Sequence, residues 1–277
     1  MKKGKKGEFS IGVFDSGFGG LDIMRGIVKA LPGYSYIYLG DNARNPYGSR
    51  SPELIYSFTR QAVQFLFEHN CWLVVLACNT ASSRALAAIQ QKYLVEYYPA
   101  RRVLGVIIPS AEEAAFKSRN KRIGVVATEA TIASKTFEEE IDKINPGIKV
   151  FQKACPLLVP FVESGEYNSP ACQSVIKSYL QPITEYNIDT LVLGCTHYGI
   201  LESKIKKNLS QNIQIISQKR IVGQKLKDYL IRHPEIESRL KKEAKIKFYT
   251  TDLTNKFIVL GSKFFGRPIK AKKIELQ

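Results

Sequence analysis

Two stretches of the chain drive an apolar run into a cysteine followed by polar side chains: "LVVLACNTA" at 73–81 and "TLVLGCTHY" at 190–198. A thiol where a strand gives way to a helix lies near the positive end of the helix dipole, which favours thiolate and predicts a lowered pKa. Cys78 is followed by Asn79 and Thr80, and Cys195 by Thr196 and His197, so each thiol has polar partners. Cys71, Cys155 and Cys172 lack that combination and read as inert core residues. Five cysteines with no CxxC pair argue against a disulfide framework or a zinc ribbon. Cys195 and His197 alone do not make a metal site, so no metal is expected.

These thiols need elements to hold them. Short β-branched or aromatic runs at 11–14, 36–39, 73–76, 103–107, 123–126, 149–151, 191–193, 213–216 and 245–249 read as strands. Helical patterns fill 52–68, 82–93, 131–144 and 170–186. Continuous rather than alternating apolar strands predict an α/β fold with mostly parallel sheets covered on both faces. The chain also repeats itself once. "IGVFDSGFGGL" from Ile11 is echoed by "IGVVATEATI" from Ile123, and in each copy a Cys-bearing strand follows at similar spacing. Two pseudo-symmetric α/β domains are therefore expected, with the active site in the cleft between them. The first would span 1–108 plus 218–277, its C-terminal segment returning to it for want of a core of its own. The second would span 109–217, opening at a Pro109 turn.

Ligands of open α/β sheets sit at the carboxyl ends of strands. There the first copy offers Asp15-Ser-Gly-Phe-Gly-Gly20, which fits neither a P-loop nor GxGxxG. It presents a carboxylate, a hydroxyl and accessible N–H groups, and serves equally well as a capped tight turn. The stretch 39–48 contains Pro46 and Gly48, which shape a turn able to present Tyr47 and backbone amides. If the two units face each other, one thiol stands on each side of a small ligand. A hydrolase or transferase would need only one nucleophilic cysteine. Two acid/base thiols on opposite faces of one carbon remove a proton from one side and deliver one to the other, inverting configuration. That is cofactor-independent racemase chemistry, and no cofactor is expected.

The formal net charge of +16 is concentrated in residues 1–8 and 201–277, leaving 9–200 near neutral, and no nucleic-acid motif accompanies it. It reads as a basic solvated surface rather than a dedicated nucleic-acid site. No apolar run is long enough for a bilayer and no secretory signal is evident, so a cytoplasmic protein without a membrane partner is expected.

The motifs "FDSGFGGL", "YLGDNARNPYGSRS", "ACNTAS", "CPLLVPFVESGE" and "LGCTHY", in this order and covering nearly the whole chain, resemble the glutamate racemases. The resemblance implies interconversion of L- and D-glutamate without pyridoxal phosphate or metal, the D-glutamate supplying peptidoglycan. By position Cys78 and Cys195 match the family's proton donor/acceptors, Asp15 and His197 the residues that assist them, and Glu163 an acidic position near the second cysteine. Asp15, Ser16, Pro46, Tyr47, Gly48, Asn79, Thr80, Thr128, Thr131, Thr196 and His197 match substrate-contact positions. Two departures stand out: Ala127 where a glycine usually precedes Thr128, and "IQIISQKR" where Asp-Pro-Ala is usual. Aspartate or another amino acid is the alternative substrate, and the histidine of "CTH" favours glutamate. A related decarboxylase would need one thiol only. A basic nucleic-acid or protein-binding regulator on the same fold would be indifferent to loss of Cys78. The resemblance allows a homodimer, for which the sequence carries no interface signature.

Overall fold

The structure, a computed structural model, describes residues 7–277; the lysines of the basic N-terminus before Gly7 lie outside the described residues. Its strands are β1 Ser10–Asp15, β2 Tyr36–Gly40, β3 Cys71–Leu76, β4 Arg102–Gly105, β5 Arg122–Ala127, β6 Lys149–Ala154, β7 Thr190–Gly194, β8 Gln214–Ile216, β9 Ile246–Thr250 and β10 Ala271–Lys273. They form two sheets, β10-β9-β2-β1-β3-β4 and β6-β5-β7-β8, in which every pairing is parallel. Parallel strands need crossovers, and the helices that supply them cover both sheet faces. This explains why β1, β2, β3, β5 and β7 are buried along almost their whole length.

The order β2-β1-β3-β4 in the first sheet recurs as β6-β5-β7-β8 in the second. The sequence repeat is therefore a repeat of topology: Ile11 and Ile123 lie in corresponding strands, and Cys78 and Cys195 follow corresponding strands. The C-terminal strands β9 and β10 extend the first sheet beyond β2.

Local chemistry sets most boundaries. Helix Pro52–Glu68 starts where Ser51 accepts the Leu54 N–H at 3.4 Å and Pro52 occupies the first turn. Helix Pro170–Thr184 repeats the device, with Ser169 accepting from Cys172 at 3.2 Å. Three expectations need correction. The fourth strand stops at Gly105, and Ile107 already belongs to helix Ile107–Lys117. Pro109 sits in that helix's first turn, where its missing N–H costs nothing, and so marks no turn of its own. The helix read over 131–144 is broken into Glu129–Ala133 and Thr136–Ile144 by Lys135, whose φ is 58°. Strand β10, with the sequence Ala-Lys-Lys, escaped notice because it is a short edge strand with no apolar run.

Helix Gly20–Ala30 lies against helix Gln218–Arg232 at glycines. A Cβ on Gly26 would come within 2.0 Å of the Lys219 carbonyl, and one on Gly223 within 2.5 Å of the Gly26 carbonyl. Backbone meets backbone there, so no side chain can give way. Gly26→Ala should therefore lower stability by about 1–3 kcal/mol through overpacking. The check is the melting temperature, and an unchanged value would show that the helices can slide apart without cost.

Candidate active site

Most of the marked side chains stand at or just past the carboxyl ends of strands, as ligand sites of parallel sheets do; Thr131 and Glu163 come from the helices that follow. A cavity of about 300 Å³ opens there between the two sheets, and Cys78 and Cys195 both line it. So do Ser16, Pro46, Tyr47, Gly48, Asn79, Thr80, Thr128, Thr196 and His197. Asp15, Thr131 and Glu163 are not wall residues; each stands behind the wall, bonded to a side chain that is.

β1 delivers Asp15, fully buried, into the Ser16–Gly19 turn. Its carboxylate accepts the Gly17 N–H at 3.1 Å and the Thr196 hydroxyl at 3.3 Å. The turn is thus capped and, in addition, tied to the opposite sheet. Close approach demands glycine at this place: a Cβ on Gly19 would lie 2.6 Å from Thr196 Oγ1 and 2.9 Å from His197 Nδ1. Burial raises the Asp15 pKa, against the charge of His197 and the N–H bonds of Gly20 and Gly17.

Cys78 caps helix Asn79–Ala88, its sulfur 3.5 Å from the Ala81 N–H, and its thiol donates to Ser16 Oγ at 3.4 Å. The expected fall in its pKa does not occur. Burial pushes the thiol up to about 12, the charge of Asp15 adds to the rise, and the bonds to Ser16 and Ala81 offset only part of it. In a buried position beside a carboxylate, desolvation outweighs the helix terminus. Cys195 precedes a six-residue 3₁₀ helix, Thr196–Leu201, rather than an α-helix, so little helix dipole acts on it.

What Cys195 has instead is a chain of partners. His197 Nδ1 lies 3.9 Å from Cys195 Sγ, and His197 Nε2 lies 3.0 Å from Glu163 Oε1. Glu163 projects from helix Leu158–Ser164 and also accepts from the Asn45 amide, in the loop after β2. The imidazole packs edge-to-face with Phe18, ring centroids 5.4 Å apart, so Phe18 helps to hold His197. Burial works against a charged imidazole here. The bonds and charges of Cys195 and Glu163 overcome it and raise the His197 pKa well above the usual value. For Glu163, burial is likewise outweighed, by His197, Asn45 and the charge of Lys256, and its pKa is lowered.

Across the cavity, Thr80 of the first sheet meets Thr128 and Thr131 of the second. The Thr80 and Thr128 hydroxyls are 2.9 Å apart, those of Thr128 and Thr131 3.0 Å. Thr128 caps helix Glu129–Ala133. A Cβ on Gly48 would strike Thr128 Cβ at 2.7 Å, which accounts for the glycine of the Pro46–Gly48 loop. The Asn45–Pro46 peptide is cis. Tyr47 lines the cavity, but its hydroxyl donates to Asp41, which also accepts from Thr251 at 2.8 Å and Arg44 at 2.6 Å. Ala127 in place of glycine is accommodated because its β-ladder partner is Gly194, which leaves room for the methyl group.

Sequence reasoning overlooked Asn45, Glu129 and the apolar wall formed by Pro156, Leu157, Val159 and Pro160. The signal for the wall was "CPLLVPF", two prolines on either side of an apolar turn. Asn45 adjoins Pro46 but reaches its partner 118 positions away, a pairing no local pattern carries. Among the described residues, no three His, Cys, Asp or Glu side chains converge as metal ligands would, and no helix is long and apolar enough to cross a membrane.

Comparison with known proteins places residues 11–222 on the model of the Asp/Glu/hydantoin racemase family. The chain is 37% identical over 261 residues to the glutamate racemase of Geobacter metallireducens, covering 93% of each. A glutamate racemase of Bacillus anthracis superposes with a TM-score of 0.89 at 36% identity, covering 98% of both chains. That of Francisella tularensis, solved in complex with D-glutamate, gives 0.87 at 32% identity, over 97% of this chain and 98% of that one.

Proposed function

The chain belongs to the Asp/Glu/hydantoin racemase family, and from that premise we propose that it is a glutamate racemase working through two thiols, Cys78 and Cys195. The observation that carries this reading is that the two cysteines follow corresponding strands of a repeated topology and line one cavity from opposite sheets.

The chemistry asks for such a cavity. The α-proton of an amino-acid carboxylate is weakly acidic, because the carbanion formed sits beside a negative charge. Fixed donors in a water-poor pocket lower that barrier without reorganising during the reaction. Ser16, Asn79 and Thr80 supply such donors from the wall, with Tyr47–Gly48 and Thr128 closing the far side; Thr196 gives its hydroxyl proton to Asp15, and Thr131 braces Thr128 and Thr80. One thiol takes the α-proton as thiolate while the other, still protonated, gives its own to the opposite face, so each turnover exchanges the protonation states of the pair. Asp15 assists on the Cys78 side and His197, backed by Glu163, on the Cys195 side. No cofactor enters this scheme. The two units are taken as 1–108 with 218–277 and as 109–217, with the substrate in the cleft between them. The D-glutamate formed in the cytoplasm would supply peptidoglycan, and a homodimer is the assembly we would look for first.

The test is incubation with L-glutamate, and separately with D-glutamate, in deuterated water under reducing conditions. Loss of optical rotation together with α-proton exchange is expected from either enantiomer. No exchange from either would sink the reading, and faster exchange with aspartate would move it to that substrate.

A further inference from the structure

The departure at "IQIISQKR" finds its meaning at the crossover that returns the chain from β8 to the first sheet. Gln218, the first residue of helix Gln218–Arg232, is buried, and its amide faces that of Asn79. Asn79 Nδ2 donates to Gln218 Oε1 at 2.8 Å, and Gln218 Nε2 donates back to Asn79 Oδ1 at 2.7 Å. The same Nε2 donates to Ser110 Oγ at 3.1 Å and to the Val106 carbonyl at 3.4 Å. Val106 and Ser110 belong to the outgoing crossover, at the start of helix Ile107–Lys117. One amide therefore ties both crossovers between the sheets to the wall residue next to Cys78.

We propose that Gln218 is a positioning residue for the Cys78 half of the site, acting through Asn79; this rests on the two-thiol reading above. Without it, the buried Asn79 amide loses a donor and an acceptor and must turn or shift to find others, carrying the cap turn of Cys78 with it. The Cys195 half has a support of its own, Glu163 on His197, which does not pass through Gln218. Gln218 also borders a small cavity with Cys195 and Thr196, but its amide is bonded to Asn79, so its loss should weaken the Cys78 proton transfer more than the other.

Racemisation offers a readout that a general loss of packing would not move. In the Gln218→Met variant, similar in length but unable to pair with Asn79, kcat/KM should fall by about tenfold or more, the scale of a sub-ångström misplacement. It must fall equally in both directions, since the two enantiomers are equal in energy. The deuterium isotope effects with 2-deuterated L- and D-glutamate should instead diverge. The effect rises in the direction in which Cys78 removes the deuteron and falls in the other. Gln218→Glu keeps an acceptor for Asn79 and should give a smaller divergence of the same sign. It carries the test alone if the Met variant does not fold. An active wild type whose two isotope effects stay unmoved in the variant would overturn the positioning role alone. A wild type that exchanges no α-proton would overturn the two-thiol reading beneath it as well.

Discussion

Cys78→Ser and Cys195→Ser should each lower the racemisation rate by about a thousandfold, within the range a positioned acid or base contributes. A serine hydroxyl keeps the shape and the hydrogen bond to Ser16 or His197, but it is far too weak an acid to cycle through its anion at neutral pH. The substitutions should separate the two half-reactions as well as stop the whole. In Cys78→Ser the thiol of Cys195 still faces its own side of the α-carbon. It can remove a proton there and return solvent deuterium to the same face, giving exchange without inversion. One enantiomer should thus incorporate deuterium while keeping its configuration, and in Cys195→Ser it should be the other. Proton NMR of the α-position with chiral analysis of the product reads both, and assigns each cysteine to an enantiomer. Near-wild-type racemisation in either variant would remove that cysteine from the mechanism. Deuterium entering both enantiomers in one variant would place both proton transfers on a single residue.

The parts of this site that were legible in the sequence share a physical feature. Cys78 and Cys195 follow buried parallel strands and Asp15 ends one, and such strands announce themselves as continuous apolar runs whose ends fix where polar side chains emerge. The same logic exposed the repeat, because both sheets need their central strand and its neighbour at the same spacing. Pairings between side chains far apart in the sequence left no such trace. Gln218 meets Asn79 across 139 positions, and Asn45 meets Glu163 across 118; only the closed fold brings them together. The acidity of Cys78 was misjudged for a related reason. A helix start can be read locally, whereas burial beside Asp15 depends on the opposite sheet closing over both. Strand β10 shows the other limit, since an edge strand that pairs on one side needs no apolar run to hold it.

Glu163→Gln should lower kcat by about a hundredfold, the low end of what a positioned acid or base supplies, and should change the pH profile in a direction fixed by the geometry. In the wild type, His197 is buried between the Cys195 sulfur and the Glu163 carboxylate, and its pKa lies well above the ordinary value. A raised imidazole pKa stabilises the fold fully below the unfolded value of about 6.5, and that stabilisation is lost as pH rises through the folded value. Glu163 is lowered, so its contribution is present above an unfolded value of about 4.3 and is lost as pH falls through the folded one. The pair therefore stabilises the protein across the interval between those two folded values. Glutamine keeps the shape and can still meet His197 Nε2, but it removes the charge that holds the proton on the imidazole. Burial then acts against that proton with Cys195 and the charge of Asp15 left to oppose it, and the His197 pKa falls. The alkaline limb of kcat/KM should move to lower pH in the variant. The difference in melting temperature between wild type and variant should be greatest inside the interval and shrink on both sides of it. Asn45→Ala, which removes the other hydrogen bond to Glu163 but leaves its charge, should shift the alkaline limb less. An alkaline limb that stays in place in Glu163→Gln would mean that the titrating group is not His197, and that the carboxylate serves only to hold helix Leu158–Ser164 against the cavity.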